Sequence, residues 1–148
     1  MNRIFLLTLI CLFYINLNGQ NLEQHRWENR IVIIKTKEKQ SEKYQQQLKE
    51  FSNSKEEFSD RKLVLYQIIG DQYKLIDFKN IDRKESEKTV INLKEEVLRT
   101  KEEFEIILIG LDGGIKLQTT EILMKEGLFN RIDGMPMRRA ELRSRKNK

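Results

Sequence analysis

The chain has 148 residues, with 28 Lys and Arg against 23 Asp and Glu, one His and one Cys, and a net charge of +5. That length suits one domain with a single core and excludes two. One cysteine excludes an internal disulfide and a thiol pair, and one imidazole without a cysteine partner makes a poor metal site.

Residues 1–19 read as a secretory signal peptide. Met1-Asn2-Arg3 is a short basic start, Ile4 to Ile15 an apolar run, and Asn16-Leu17-Asn18-Gly19 a polar exit ending on a small residue. The run falls short of the roughly 20 residues that span a bilayer, so cleavage near Gly19 and a periplasmic or extracellular destination are expected. Cys11 would leave with that segment. The remaining chain would hold a domain over residues 20–137 and a basic tail over 138–148, with stability from packing alone.

Gln20 to Gln24 reads as a polar leader and His25 as a solvated loop residue. Trp27-Glu28-Asn29-Arg30 introduces Ile31 to Ile34, a β-branched run suited to a buried strand. Ser41 is placed to cap a helix in which Tyr44, Leu48 and Phe51 form the apolar stripe, with Gln, Lys and Glu on the other face. Phe51 to Asp60 reads as polar linker.

Leu63 to Ile69 is a second strand. Gly70-Asp71 suits a hairpin turn returning through Tyr73 to Phe78. Glu85 to Arg99 carries a helical apolar pattern through Val90, Leu93 and Val97. Phe104 to Ile109 is the next strand, and Gly110-Leu111-Asp112-Gly113-Gly114 a tight turn into an edge strand alternating Ile115 and Leu117 with Lys116 and Gln118. Thr120 is placed to cap a last helix through Ile122, Leu123, Leu128, Phe129 and Ile132. Gly134 would stop it, and Pro136 would keep it from resuming.

The order β-α-β-(β)-α-β-β-α implies an α/β domain, a mixed sheet of four to five strands flanked by helices in a thioredoxin-like layout. Helices between apolar strands imply parallel crossovers, and the glycine turn an antiparallel hairpin at one edge.

Leu108 to Leu117, followed by Ile132-Asp133-Gly134-Met135-Pro136-Met137-Arg138-Arg139, resembles the DUF4174 family, a domain of unknown function. Trp27 to Arg30 and Arg61 are similar to it too. Leu111 stands where that family usually has lysine, and Lys62 where it usually has aspartate. The resemblance implies a thioredoxin-like domain without an assigned activity, found alone in exported bacterial proteins and within sushi-repeat-containing and equarin-type extracellular proteins. Thioredoxin chemistry itself needs a reactive thiolate and a resolving partner, which residues 20–148 lack.

The charge is unevenly spread. Arg138, Arg139, Arg143, Arg145, Lys146 and Lys148 face only Glu141 in the tail, while residues 20–136 carry one acid more than bases. A nucleic-acid-binding fold would spread basic charge over a folded face and stack bases on aromatics, so no nucleic acid is expected. The tail suits an anionic surface, lipid or polysaccharide, where each Lys or Arg is worth about 1 kcal/mol; it also suits a solvated terminus.

Candidate binding residues are Asp112 and Lys116 at the glycine turn, and Asp133, Met135, Met137, Arg138 and Arg139. The turn reads either as an anion-binding nest or as a plain hairpin. The second segment reads either as a recognition surface or as a plug of the core end, with Asp133 on an arginine and Trp27 or Arg30 completing it. No catalytic residue, metal ligand or cofactor is assigned. The expected role is a non-catalytic interaction module for an envelope or extracellular macromolecule. Its rival is an envelope enzyme or redox auxiliary using non-thiol chemistry or a bound cofactor.

Overall fold

The computed structural model describes residues 22–79, 88–89 and 101–147. The expected signal peptide over residues 1–19 and most of the expected Glu85–Arg99 helix lie outside the described residues. Strands are β1 (Arg30–Thr36), β2 (Leu63–Ile69), β3 (Gln72–Asp77), β4 (Lys88–Thr89), β5 (Phe104–Ile109) and β6 (Ile115–Thr119). Helices are α1 (Glu42–Glu50), α2 (Lys55–Asp60), α3 (Lys125–Asp133) and α4 (Pro136–Lys146), and a 3₁₀ turn spans Leu22–His25. The fold is α/β, a mixed sheet flanked by helices, compatible with the thioredoxin-like layout. Residues 88–89 pair with β3 as a short edge strand, a correction to the helix expected across them.

The sheet order is β4-β3-β2-β1-β5-β6. β1 and β2 are parallel, joined through α1 and α2, and β5 is antiparallel to β1. The second expected crossover therefore does not place β5 parallel to β1. The hairpin β2–β3 reverses the chain first, so that β3 and β5 run in the same direction.

Alternation along β1 and β5 divides the core. Val32, Ile34, Phe104, Ile106 and Leu108 face one side with Tyr44, Phe51, Phe58, Leu128 and Ile132 of the helices. Ile31, Ile33, Ile107 and Ile109 face the other with Val64, Tyr66, Ile68 and Tyr73, and Leu22 packs against that cluster. This is the period-two alternation of strands with both faces covered.

Several local expectations are corrected. The supposed linker 51–60 contains α2, because Phe58 anchors it: the ring is fully buried among Phe51, Phe78 and Phe129. Ser41 occupies the N-cap of α1 without a side-chain cap bond. Gln47, assigned to the wet face, is buried; its Nε2 donates to Leu123 O at 2.9 Å and its Oε1 accepts Leu123 N–H at 2.8 Å. That bidentate clamp keeps Leu123 out of the helix, so α3 starts at Lys125 rather than Thr120. The Glu50 carboxylate accepts the Lys125 N–H at 2.9 Å, a favourable charge at a helix N-terminus.

The edge strand departs from simple alternation. Leu117 pairs with Leu108 but Ile115 pairs with Ile109, so Lys116 is an extra residue in a bulge. The bulge turns Ile115 outward, half-exposed at 50%. Among the described residues no helix is long and apolar enough to cross a membrane.

Candidate functional site

Pro136 begins a helix. Proline lacks an N–H and has φ fixed near the helical value, which suits the first turn, where the N–H needs no partner. Gly134 does sit at the C-cap of α3, with φ −76, but Met135 then serves as the N-cap of α4. This corrects the expectation that the helix could not resume after Pro136.

Helical spacing then separates the basic residues of this segment. Arg138, Glu141, Leu142 and Arg145, at i, i+3, i+4 and i+7, turn toward the domain. Arg138 is 1% exposed. Its Nε donates to Asp133 Oδ1 at 3.1 Å, its Nη1 to the Asp60 carbonyl at 2.8 Å, and its Nη2 to the Asp60 carboxylate. Arg145 also donates to the Asp60 carboxylate.

Asp133 takes a second bond, from Arg61 Nη2 at 2.6 Å, and the Arg61 guanidinium lies 4.2 Å from the Phe129 ring centre. Glu141 receives Arg30, fully buried at the head of β1, through Nη1 at 3.4 Å and Nη2 at 3.3 Å, with Lys62 Nζ at 3.5 Å. Five cations thus share three carboxylates, leaving this end of the sheet electropositive.

The candidate residues fall into two groups. Asp133 and Arg138 are bonded to one another inside this network, and Met135 packs partly buried against the core. Met137, 40% exposed, and Arg139 face outward. Arg30 joins the core-end network. Trp27 does not plug that end: it is 59% exposed, and its N–H donates to Leu111 O at 2.7 Å.

Asp112 and Lys116 pair with each other within the β5–β6 turn, Nζ to Oδ2 at 2.7 Å, while Asp112 Oδ1 accepts the Gly114 N–H at 3.1 Å. The Gly113 and Gly110 amides bond to Gly110 O and Gly114 O. These donors are spent closing the hairpin rather than cradling an anion. The bonds from Lys116 and the Gly114 amide hold the Asp112 carboxyl below its usual value. Of the two family positions that differ, Leu111 is buried and Lys62 sits at φ 53 against Glu141.

His25 is buried rather than solvated. Its Nδ1 lies 3.2 Å from Asn29 Oδ1, and its Nε2 shares a hydrogen bond of 2.7 Å with the Tyr66 hydroxyl. Burial pushes the Tyr66 phenol up to about 12. Leu22–His25 therefore docks as a 3₁₀ turn, with Leu22 packed against the core.

The carboxylate network makes stability sensitive to acid. Partial burial raises the Asp60 carboxyl, but bonds from Arg145 and Arg138 and their charges outweigh it and leave the group below its usual value. Glu141 is likewise raised by burial and lowered further by the Arg30 bond and charge, Lys62 and Arg138. A depressed carboxylate stabilises the fold above its unfolded pKa, near 4, and that contribution fades as pH falls through the folded value. Urea midpoints should therefore hold steady from pH 7 to about 5 and drop below about 4. In Asp60→Asn/Glu141→Gln the drop should be shallower; an equal drop would place the acid sensitivity elsewhere.

Asp60, Glu141 and Arg145 were not candidates from the sequence, and Arg61 stood out only through the family resemblance. The signal was present in the i, i+3, i+7 spacing of Arg138, Glu141 and Arg145, once Pro136 is taken as a helix start. Asp60 had no local signal, and no local pattern gave Arg61 an ion-pair role, because both meet the Asp133–Arg145 segment only through the fold. Among the described residues no three His, Cys, Asp or Glu side chains gather to hold a metal ion.

A family model described as a domain of unknown function (DUF4174) matches residues 21–141. No curated protein and no solved structure matches the chain.

Proposed function

The chain belongs to the DUF4174 family, and from that premise we propose that it is an exported, non-catalytic binding module that meets an anionic envelope surface through the outer face of α4. The observation that carries this reading is the placement of Arg139, Arg143 and Lys146. They lie at i, i+4 and i+7, are exposed, and have no ion-pair partner among the described residues. Met137 adds an exposed apolar group at the head of the same helix. Behind them the buried network fixes the helix and adds its own excess of positive charge. Export rests on the tripartite pattern of residues 1–19. Asp112 and Lys116 belong to this reading only as the neutralised hairpin turn.

Three surface cations at about 1 kcal/mol each correspond to roughly a hundredfold in affinity. Co-sedimentation with phosphatidylglycerol vesicles at low salt should therefore show binding that weakens by about that factor in Arg139→Gln/Arg143→Gln/Lys146→Gln. Phosphatidylcholine vesicles should bind neither protein. A soluble acidic polysaccharide competing with the vesicles would place the preference on glycans. Undiminished vesicle binding by the triple variant, with its melting temperature unchanged, would remove α4 from the proposal.

A further inference from the structure

Trp27 combines two unfavourable states. Its φ of 68 lies in the left-handed region, which is sterically costly for a bulky L-residue. Its indole nevertheless stays 59% exposed, so burial does not compensate for the strain. The backbone imposes this conformation: Trp27 N–H bonds to Leu111 O, and the Glu28 and Asn29 amides both return to His25 O at 3.0 and 2.8 Å. Strain of this kind persists where surrounding bonds over-determine it, and it gathers at ligand sites.

A cleft of about 190 Å³ adjoins this turn, with apolar walls from Leu22, Ile31, Ile109 and the outward-turned Ile115. Its volume is below the roughly 300–1,000 Å³ of drug-sized ligand pockets, so it takes one compact apolar group rather than a nucleotide. Four polar side chains also line it, Glu23, His25, Arg26 and Asn29, of which Arg26 and Asn29 offer donors to an anion. The Asn29 Oδ1 is committed to His25, and its amide N–H groups have no partner among the described residues. The Arg26 guanidinium carbon lies 5.6 Å from the Trp27 ring centre. Its partner Glu23, at 3.3 Å, is an exposed pair, 46% and 58% accessible, the kind that contributes little and exchanges readily.

We propose that this cleft binds a small carboxylate bearing one compact apolar group. The apolar group rests among Ile31, Ile109 and Ile115, and the carboxylate takes Arg26 and the Asn29 amide in place of Glu23. Arg and Trp beside a fitted pocket are the residues that dominate recognition energy, and a charge-assisted bond to a carboxylate is stronger than one to an amide. The same chemistry is offered by a free branched acid or by the terminal residue of a peptide.

Trp27 is the chain's one tryptophan and packs against Arg26 of the cleft wall, so its fluorescence reports on the turn beside this site. The probes are 4-methylpentanoate and N-acetyl-Gly-Leu with a free carboxylate, each compared with its primary amide. Saturable change with at least one acid in the millimolar range, and binding roughly tenfold weaker for its amide, is the expected result. Binding of 4-methylpentanoate assigns a free acid as the source; binding of the peptide alone assigns a chain terminus. Arg26→Gln should abolish the acid–amide difference, and Ile115→Asp should weaken both forms, each with an unchanged melting temperature because both residues are exposed. No saturable change with either acid, equal binding of acid and amide, or discrimination retained in Arg26→Gln would each overturn the proposal.

Discussion

Phe58→Ala should lower the unfolding free energy by about 4 kcal/mol, the range for truncating a fully buried aromatic ring. Phe58 has no exposed surface and stands at the centre of an aromatic cluster, with ring centres 5.3 Å from Phe51, 4.7 Å from Phe78 and 5.7 Å from Phe129. Removing it opens a cavity facing three rings on separate segments, α1's end, the end of β3 and α3, so no single neighbour can collapse into the space. A domain of this size has about 5–15 kcal/mol in total, and the melting temperature should fall by roughly 12 °C. Glu57→Ala, one residue away on the exposed side of α2, should change stability by less than about 0.5 kcal/mol. Similar urea midpoints for the two variants would mean that α2 does not anchor the core.

Adjacent arginines should behave very differently. Arg138→Ala is expected to cost about 3 kcal/mol, the lower end for breaking a buried ion pair by removing one partner. The lower end applies because two of the acids it serves, Asp60 and Asp133, are 40% and 34% accessible and can recover water, while the third, Glu141, keeps Arg30 and Lys62. Burial alone opposes the charged form of Arg138, but the bonds and charges of Asp60 and Asp133 raise its pKa, so the guanidinium is charged in the fold. Arg139→Ala, with its side chain outward, should stay within about 0.5 kcal/mol. Arg138→Lys should recover only part of the loss, because an ammonium cannot reproduce the planar fork that reaches Asp133 and both oxygen types of Asp60. The measurement is the shift in denaturation midpoint at constant slope; equal midpoints for the two alanine variants would contradict the facing of α4.

Much of the sheet was legible because strands reveal themselves locally. Leu63–Ile69 and Phe104–Ile109 are apolar runs broken only by Gln67 and Glu105 and bounded by glycine or polar residues, and the structure places β2 and β5 on those same spans. The glycine turn was legible for the same reason. Features set by partners far along the chain were not. Gln47 looks like any wet-face helix residue until Leu123 arrives to use both ends of its amide. His25 looks like leader until Tyr66, from a neighbouring region of the fold, takes its ring nitrogen.

Pro136 was misread for a different reason. A proline can end one helix or begin the next, and the choice depends on whether the following residues have something to face. Here Arg138 and Glu141 face Asp60 and Arg30, which only the assembled sheet supplies. Within the candidate segment, chemistry could be read residue by residue, but inward and outward could not. The helix assignment separates Asp133, Met135 and Arg138 from Met137 and Arg139.

The bond between Arg30 and Glu141 joins residues 111 positions apart. Closing so long a loop carries an entropic cost that the rest of the fold must offset. A chain lacking Glu141 would keep the apolar residues of β1 yet leave its buried cation without this acid. The bond therefore ties the stability of β1 to the docking of α4.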